Sequence, residues 1–148
     1  MSTFRLSHID NERDCLACFD VMRELRPHLL SAQAFAEQVR RQAGQGFRLL
    51  AAWQGDQVVA LAGYRIQESL LYGRFLYVDD LVSAASARGH GLGGKLIEAV
   101  REEAKRQGCA HLVLDTGLDN SLAQRFYFRQ GLLSEGLHFC QALQAGDV

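Results

Sequence analysis

The chain has 148 residues, a formal net charge of -1 and 48% apolar residues, the size and balance of one ordinary domain able to bury its own core. Near-neutral charge gives no electrostatic reason to expect nucleic acid or a membrane surface as a partner, and the N-terminal stretch MSTFRLSHIDNERD has no apolar leader core. No segment approaches the ~18 uninterrupted apolar residues of a membrane helix, so a cytoplasmic protein with a single domain over 1–148 is expected.

Asp10 or Asn11 caps a helix over residues 12–25, in which Leu16, Phe19, Met22 and Leu25 fall three apart. Pro27 ends it. Ser31 caps a second helix carrying Phe35 and Val39 at i, i+4, stopped by Gly44 and Gly46. Cys15 and Cys18 form a C-x-x-C inside the first helical pattern, with no second ligand pair and no preceding redox-type strand. With Cys109 and Cys140 they are read as reduced thiols, and no metal site is expected.

FRLLAAW (47–53), the turn QGDQ and VVALAGYRI (58–66) read as a β-hairpin, and RFLYVDDLV (74–82) as a third strand. A glycine-rich loop follows. It opens an amphipathic helix with Leu92, Leu96, Ala99, Val100 and Ala104 inward and a stop at Gly108. HLVLD (111–115) is a compact apolar strand, read as parallel to 74–82 through a crossover. NSLAQRFYFRQG then makes a helix ending at Gly131, and GLHFCQAL (136–143) a last strand. The fold class is therefore α/β (α+β): a mixed, mostly antiparallel central sheet with one βαβ unit.

The loop RGHGLGGK, Arg88 through Lys95, fits three anion-binding patterns. All three use glycines that let the backbone approach an anion and N–H groups at a helix N-terminus. A P-loop would need a Ser or Thr after Lys95, where Leu96 stands. The dinucleotide pattern Gly89, Gly91, Gly94 gains an acid at Asp115, but SAASA separates strand from loop and the chain has one βαβ unit only. The third pattern is R-x-x-G-x-G, carried by Arg88, Gly91 and Gly93.

LYVDDLV, the R-x-x-G-x-G loop, the amphipathic helix, LVLD and the N-x-x-A-x-x-F-Y-x-x-x-G helix (Asn120, Ala123, Phe126, Tyr127, Gly131) follow one another over residues 74–133. In that order and spacing they resemble the GNAT superfamily of acetyl-CoA-dependent N-acetyltransferases. MRELRPHL and LDTG resemble a bacterial subgroup of it, which usually has a His where this chain has Gln124. The resemblance implies acetyl-CoA as cofactor, cradled by Arg88, Gly89, His90, Gly91, Leu92, Gly93, Gly94 and Lys95, with His90 and Leu92 contributing main chain only. Lys95 is equally readable as a solvated helix residue. Asn120 is read either as a cofactor ligand or as the N-cap of its helix.

Acetyl transfer needs a neutral amine, yet an alkylamine has a pKa near ~10.4, so a base must take its proton. Asp79 and Asp80 are the candidates, although neighbours in an unbroken strand point to opposite faces unless a bulge intervenes. Diamine-acetylating relatives carry an acid nine residues before the motif arginine, which falls on Asp79; Asp80 is the alternative. The resemblance also implies a backbone N–H at Leu81, Val82 or Ser83 aimed at the thioester oxygen, and Tyr127 as the acid for the leaving thiolate, with contact to the cofactor.

His111, His138 and Cys140 are read as structural. The expected acceptor is a small-molecule primary amine, met by the 22–31 region, the hairpin and the Asp79 strand; Arg23, Arg26 and His28 are read either as holding a carboxylate or phosphate or as surface charges. A peptide or protein amine, or a non-catalytic acyl-CoA-binding module, are the alternatives. The last strand is available for homodimerisation by edge pairing or exchange.

Overall fold

Continuous apolar runs, buried without interruption over residues 49–53 and 58–64, build the centre of a five-stranded sheet, and helices cover it. In the computed structural model, which describes residues 3–144, the strands are β1 (Arg5–His8), β2 (Arg48–Gln54), β3 (Gln57–Ser69), β4 (Gly73–Ser83) and β5 (His111–Leu114). They lie in the order β1-β2-β3-β4-β5, antiparallel except for the parallel β4–β5 pair. The expected mixed sheet is thus found, with one strand more than the sequence announced at its N-terminal edge. RLSH has a single apolar residue of strand type and is half exposed, so no periodicity marked it.

Between β1 and β2 come α1 (Glu12–Ala17), α2 (Phe19–Leu25) and α3 (Ala32–Ala43). Asn11 and Ser31 cap α1 and α3 through side-chain oxygens that accept from Asp14 N and Ala34 N. The stretch expected to be one helix is broken at Cys18, whose thiol donates to the Asp14 carbonyl at 3.3 Å. Burial pushes the Cys15 and Cys18 thiols up to about 11 and about 12, so both stay protonated and behave as small apolar residues. A 3-10 turn, Ala85–Ala87, leads to α4 (Leu92–Arg106), which returns the chain to β5.

The residues up to Leu114 form one compact unit and those from Asp115 another. The first holds the sheet. Its core includes Ala51, Leu61, Leu76, Leu96 and Ile97, all without exposure, and burying each large apolar side chain contributes about 1.5–3 kcal/mol. Its polar element joins His8 Nε2 to the Tyr64 hydroxyl at 2.8 Å. Burial lowers the pKa of His8 and raises that of Tyr64, which keeps both neutral. No described helix is long and apolar enough to cross a membrane.

The second unit carries α5 (Ser121–Arg129), closed at Gly131 with φ 91°. The strand expected at 136–143 does not form: the described residues after Gly131 lie outside any helix or strand. Leu137, Phe139 and Leu143 alternate as a strand requires, yet they are 67–89% exposed. Alternation alone makes no ladder, because a strand needs a neighbour to take its N–H and C=O groups.

The pairing of β3 with β4 slips between Gly63 and Tyr64: Gly63 faces Asp80 while Tyr64 faces Val78, leaving Asp79 as an extra residue. This is a β-bulge. A Cβ on Gly63 would stand 2.6 Å from Phe47 Cζ and 2.9 Å from Asp80 Oδ2, so only glycine fits beneath both. Gly63→Ala is therefore expected to lose about 1–3 kcal/mol, the usual cost of overpacking, even though Ala suits a strand better than Gly does. Urea denaturation followed by circular dichroism measures it.

Candidate active site

The bulge answers the question of two adjacent acids on one strand. With Asp79 looped out of register, Asp79 and Asp80 each meet an arginine. Arg65 of β3 donates from Nε to Asp79 Oδ2 at 2.7 Å, lies 5.7 Å from the Phe47 ring centroid and reaches Gln45 Oε1 at 3.0 Å. Arg26, the C-cap of α2, donates from Nε to Asp80 Oδ1 at 3.0 Å and from Nη2 to the Asp79 carbonyl at 2.9 Å. Sequence reasoning offered Arg26 as a ligand for an anionic acceptor; here it is committed to the acid pair. Arg23 lies over the Phe19 ring at 5.9 Å, and Arg65 had no sequence signal at all.

Asp80 has 14% of its side chain exposed. Burial pushes its carboxyl above the usual carboxylate range, opposed by the hydrogen bond and charge of Arg26 and by Arg65, and reinforced by the charge of Asp79. A carboxylate tuned upward in this way is a stronger base than one in water.

Beyond the acid pair, β4 loses its outer neighbour. Pairing with β5 runs from Phe75–His111 to Val78–Leu114 and stops, so among the described residues no strand pairs with 79–83 on that side. Ala84 N donates to Val59 O at 2.8 Å, in register with Ser83 facing Ala60. In an antiparallel ladder donors alternate, which turns the N–H of Val82 toward β3 and those of Leu81 and Ser83 toward the open edge. Of the three positions named from the sequence, two therefore present a donor there.

The loop after this edge could hold an anion through its backbone. Gly89 and Gly91 have φ of 90° and 71°, in the left-handed region that favours glycine, and a Cβ on either would meet nothing within 4 Å. Gly91 is the N-cap of α4 and no side chain caps that helix, so the first-turn N–H groups of Leu92, Gly93 and Gly94 have no side-chain acceptor. Arg88 has 66% of its side chain exposed. This backbone fits a pyrophosphate. The side chains of His90 and Lys95 turn to Phe4, with the rings of Phe4 and His90 at 5.6 Å and Lys95 Nζ 5.4 Å from the Phe4 centroid, which favours Lys95 as a helix-surface residue.

In the second unit, Asn120 caps α5, its Oδ1 accepting from Ala123 N at 3.1 Å. Gln124 donates to the carbonyls of Gly117 and Leu118 at 2.9 and 3.0 Å and so holds the loop before the helix. Tyr127 is half-buried beside Phe126, and burial pushes its phenol up, which keeps the proton on Oη. Asp115 pairs with His138 at 3.4 Å.

Residues 13–132 match the family described as Acetyltransferase (GNAT). An uncharacterised N-acetyltransferase of Bacillus subtilis, YhdJ, is 24% identical over 123 residues, covering 82% of this chain and 86% of that protein. Among solved structures, the aminoglycoside N-acetyltransferase AAC(6')-Iy in complex with CoA superposes with a TM-score of 0.82 at 16% identity, covering 97% of each chain. Glucosamine-6-phosphate N-acetyltransferase from Arabidopsis thaliana does so with a TM-score of 0.78 at 19% identity, covering 96% of this chain and 99% of its own. Both likenesses are of fold.

Gly91→Ala tests the strain in the loop. The side chain finds open space, so the whole effect is the left-handed backbone, and a loss of about 1–2 kcal/mol is expected. Thermal unfolding without ligand reads it.

Proposed function

Because this chain belongs to the Acetyltransferase (GNAT) family, we propose that it moves the acetyl group of acetyl-CoA to the primary amine of a small molecule, by direct attack within a ternary complex. Acetyl-CoA is the family's donor and the protein is an N-acetyltransferase. When bound, it supplies an acetyl group activated as a thioester. The observation that carries the reading is the bulge, which sets the acid pair at the start of the open β4 edge that runs into the glycine loop.

Gly89, Gly91, Gly93 and Gly94 give the backbone donors for the pyrophosphate and Arg88 a charge beside it. Lys95, held against Phe4, takes the smaller part. Leu81 and Ser83 aim main-chain donors at the carbonyl oxygen where negative charge grows. Asp80 takes the amine proton: it is the more buried acid and the one whose pKa burial raises. Asp79, bound to Arg65, orients the acceptor or replaces Asp80 through water. Tyr127 occupies the family's acid position, and its raised pKa keeps a proton ready for the departing sulfur.

A small-molecule acceptor is favoured by the aminoglycoside and glucosamine-6-phosphate acetyltransferases among the structural neighbours. Residues 1–148 act as one acetyltransferase domain, since the family match runs across both units. The exposed alternating run Leu137, Phe139, Leu143 supports homodimerisation, and four free thiols suit the cytoplasm.

Release of CoA thiol from acetyl-CoA, with panels of small amines and with a peptide bearing a free N-terminus, tests the reading. Turnover with a small amine supports it; turnover with the peptide alone assigns a protein substrate, and binding of acetyl-CoA without turnover on either panel assigns a binding module. In an active pair, Tyr127→Phe is expected to lower kcat about 10²-fold or more with acetyl-CoA affinity unchanged. The raised pKa of Asp80 means the base is protonated, and activity lost, as pH falls through a value above the usual ~3.9. That acid limb of kcat/KM disappears in Asp80→Asn and persists in Asp79→Asn.

A further inference from the structure

One turn of α2 touches β4 and its loop at two points. Glu24 Oε1 accepts the N–H of Ala85 at 2.9 Å and lies 4.0 Å from Arg88 Nη2. Two residues on, Arg26 holds Asp80 Oδ1 and the carbonyl of Asp79. That carbonyl belongs to the residue the bulge removes from register, so Arg26 takes over part of what the ladder no longer supplies. The helix ends at Leu25 with Pro27 close behind, and the residue before a proline is pushed out of the helical region. Arg26 accordingly has φ -119° and ψ 73°, which turns its side chain back toward the strand.

The segment 79–88 contains the acid pair, the open donors of Leu81 and Ser83 and the entry to the glycine loop. It is therefore gripped at both ends by residues 24 and 26. The Glu24–Arg88 ion pair is too exposed, at 36% and 66%, to matter much by itself. The hydrogen bonds to main chain set the geometry, because they fix where the strand goes and not only where a side chain points.

We propose that Glu24 and Arg26 are positioning residues, two ends of a strut from α2 that fixes the distance between the cofactor loop and the acid pair and so couples them. The proposal rests on the reading of Asp80 as base and of residues 88–95 as cofactor loop. Its distinctive consequence is a crossed effect. Damage at the acid end is felt in acetyl-CoA binding, although Arg26 touches no loop residue, and damage at the loop end is felt in the titration of the acid, although Glu24 touches neither aspartate.

The test uses the full chain with Glu24→Ala, Arg26→Gln and the conservative Glu24→Gln and Arg26→Lys, each first shown to unfold in one transition. Acetyl-CoA affinity is read by calorimetry and the acid limb of kcat/KM by a pH series. Both Ala and Gln disruptions are expected to weaken acetyl-CoA about fivefold or more, the lower end of usual coupling between sites. Arg26→Gln removes a hydrogen bond and a positive charge that oppose burial, leaving Arg65 against Asp79 and desolvation, so the acid limb moves up. Glu24→Ala moves it in the same direction by less. Glu24→Gln keeps an oxygen for the Ala85 N–H and Arg26→Lys keeps a charge, and each recovers part of the loss.

Effects confined to each residue's own end overturn the strut. Should Asp80→Asn keep its acid limb, the base assignment falls. The calorimetric effect of Arg26→Gln on acetyl-CoA affinity then decides the strut alone: a fivefold loss upholds it and wild-type affinity ends it. A disrupted variant that fails to unfold in one transition is replaced by its conservative partner, whose partial loss or wild-type behaviour decides in the same way.

Discussion

Strands that keep a strict two-residue alternation cannot present neighbouring carboxylates to one side, and the single extra residue at Asp79 is what frees this sheet from that constraint. Everything chemical in the first unit is arranged around it. Gly63 makes room for Phe47 and Asp80 beneath the bulge, Arg65 and Arg26 neutralise the two acids from β3 and α2, and beyond it β4 runs on without β5. The bulge is expensive in isolation, since it takes a residue out of the ladder. Arg26 lowers that cost by donating to the displaced carbonyl.

The same quartet sets the titration of Asp80. At Asp80 the charge of Asp79 raises the pKa and the two arginines lower it; the balance is tipped upward by burial, which no partner removes. A salt bridge is commonly read as a stabilising contact, yet partly exposed pairs like these contribute little to folding. Their weight falls on position and titration.

What could be read from the sequence was local. Turn glycines, the caps at Asn11 and Ser31, the run of small apolar strands and the glycine loop depend on residues within a few positions of one another, and all are found where they were expected. The candidate acids were legible because Asp79 and Asp80 interrupt an apolar strand. Arg65 was not, and Arg26 stood out only as a ligand for an acceptor, because their partners are 14 and 54 residues away and a surface arginine looks the same in sequence. β1 was hidden for a related reason: RLSH becomes a strand only when β2 offers it an edge. The opposite error occurred at 136–143, where the alternation was present and no ladder was.

The N-terminus of α4 shows folding and function pulling against each other at one residue. Asn11 (-144°, 161°) and Ser31 (-148°, 153°) cap their helices from extended backbone, whereas Gly91 sits in the left-handed region at 71°, 22° with no side chain to offer. Forgoing the cap costs about 1 kcal/mol, and deep burial of Leu92, Leu96, Ile97 and Val100, none more than 2% exposed, offsets it many times over. Anchoring one face of α4 so firmly is what allows its first turn to do without a side-chain cap, which leaves backbone N–H groups that could meet an anion.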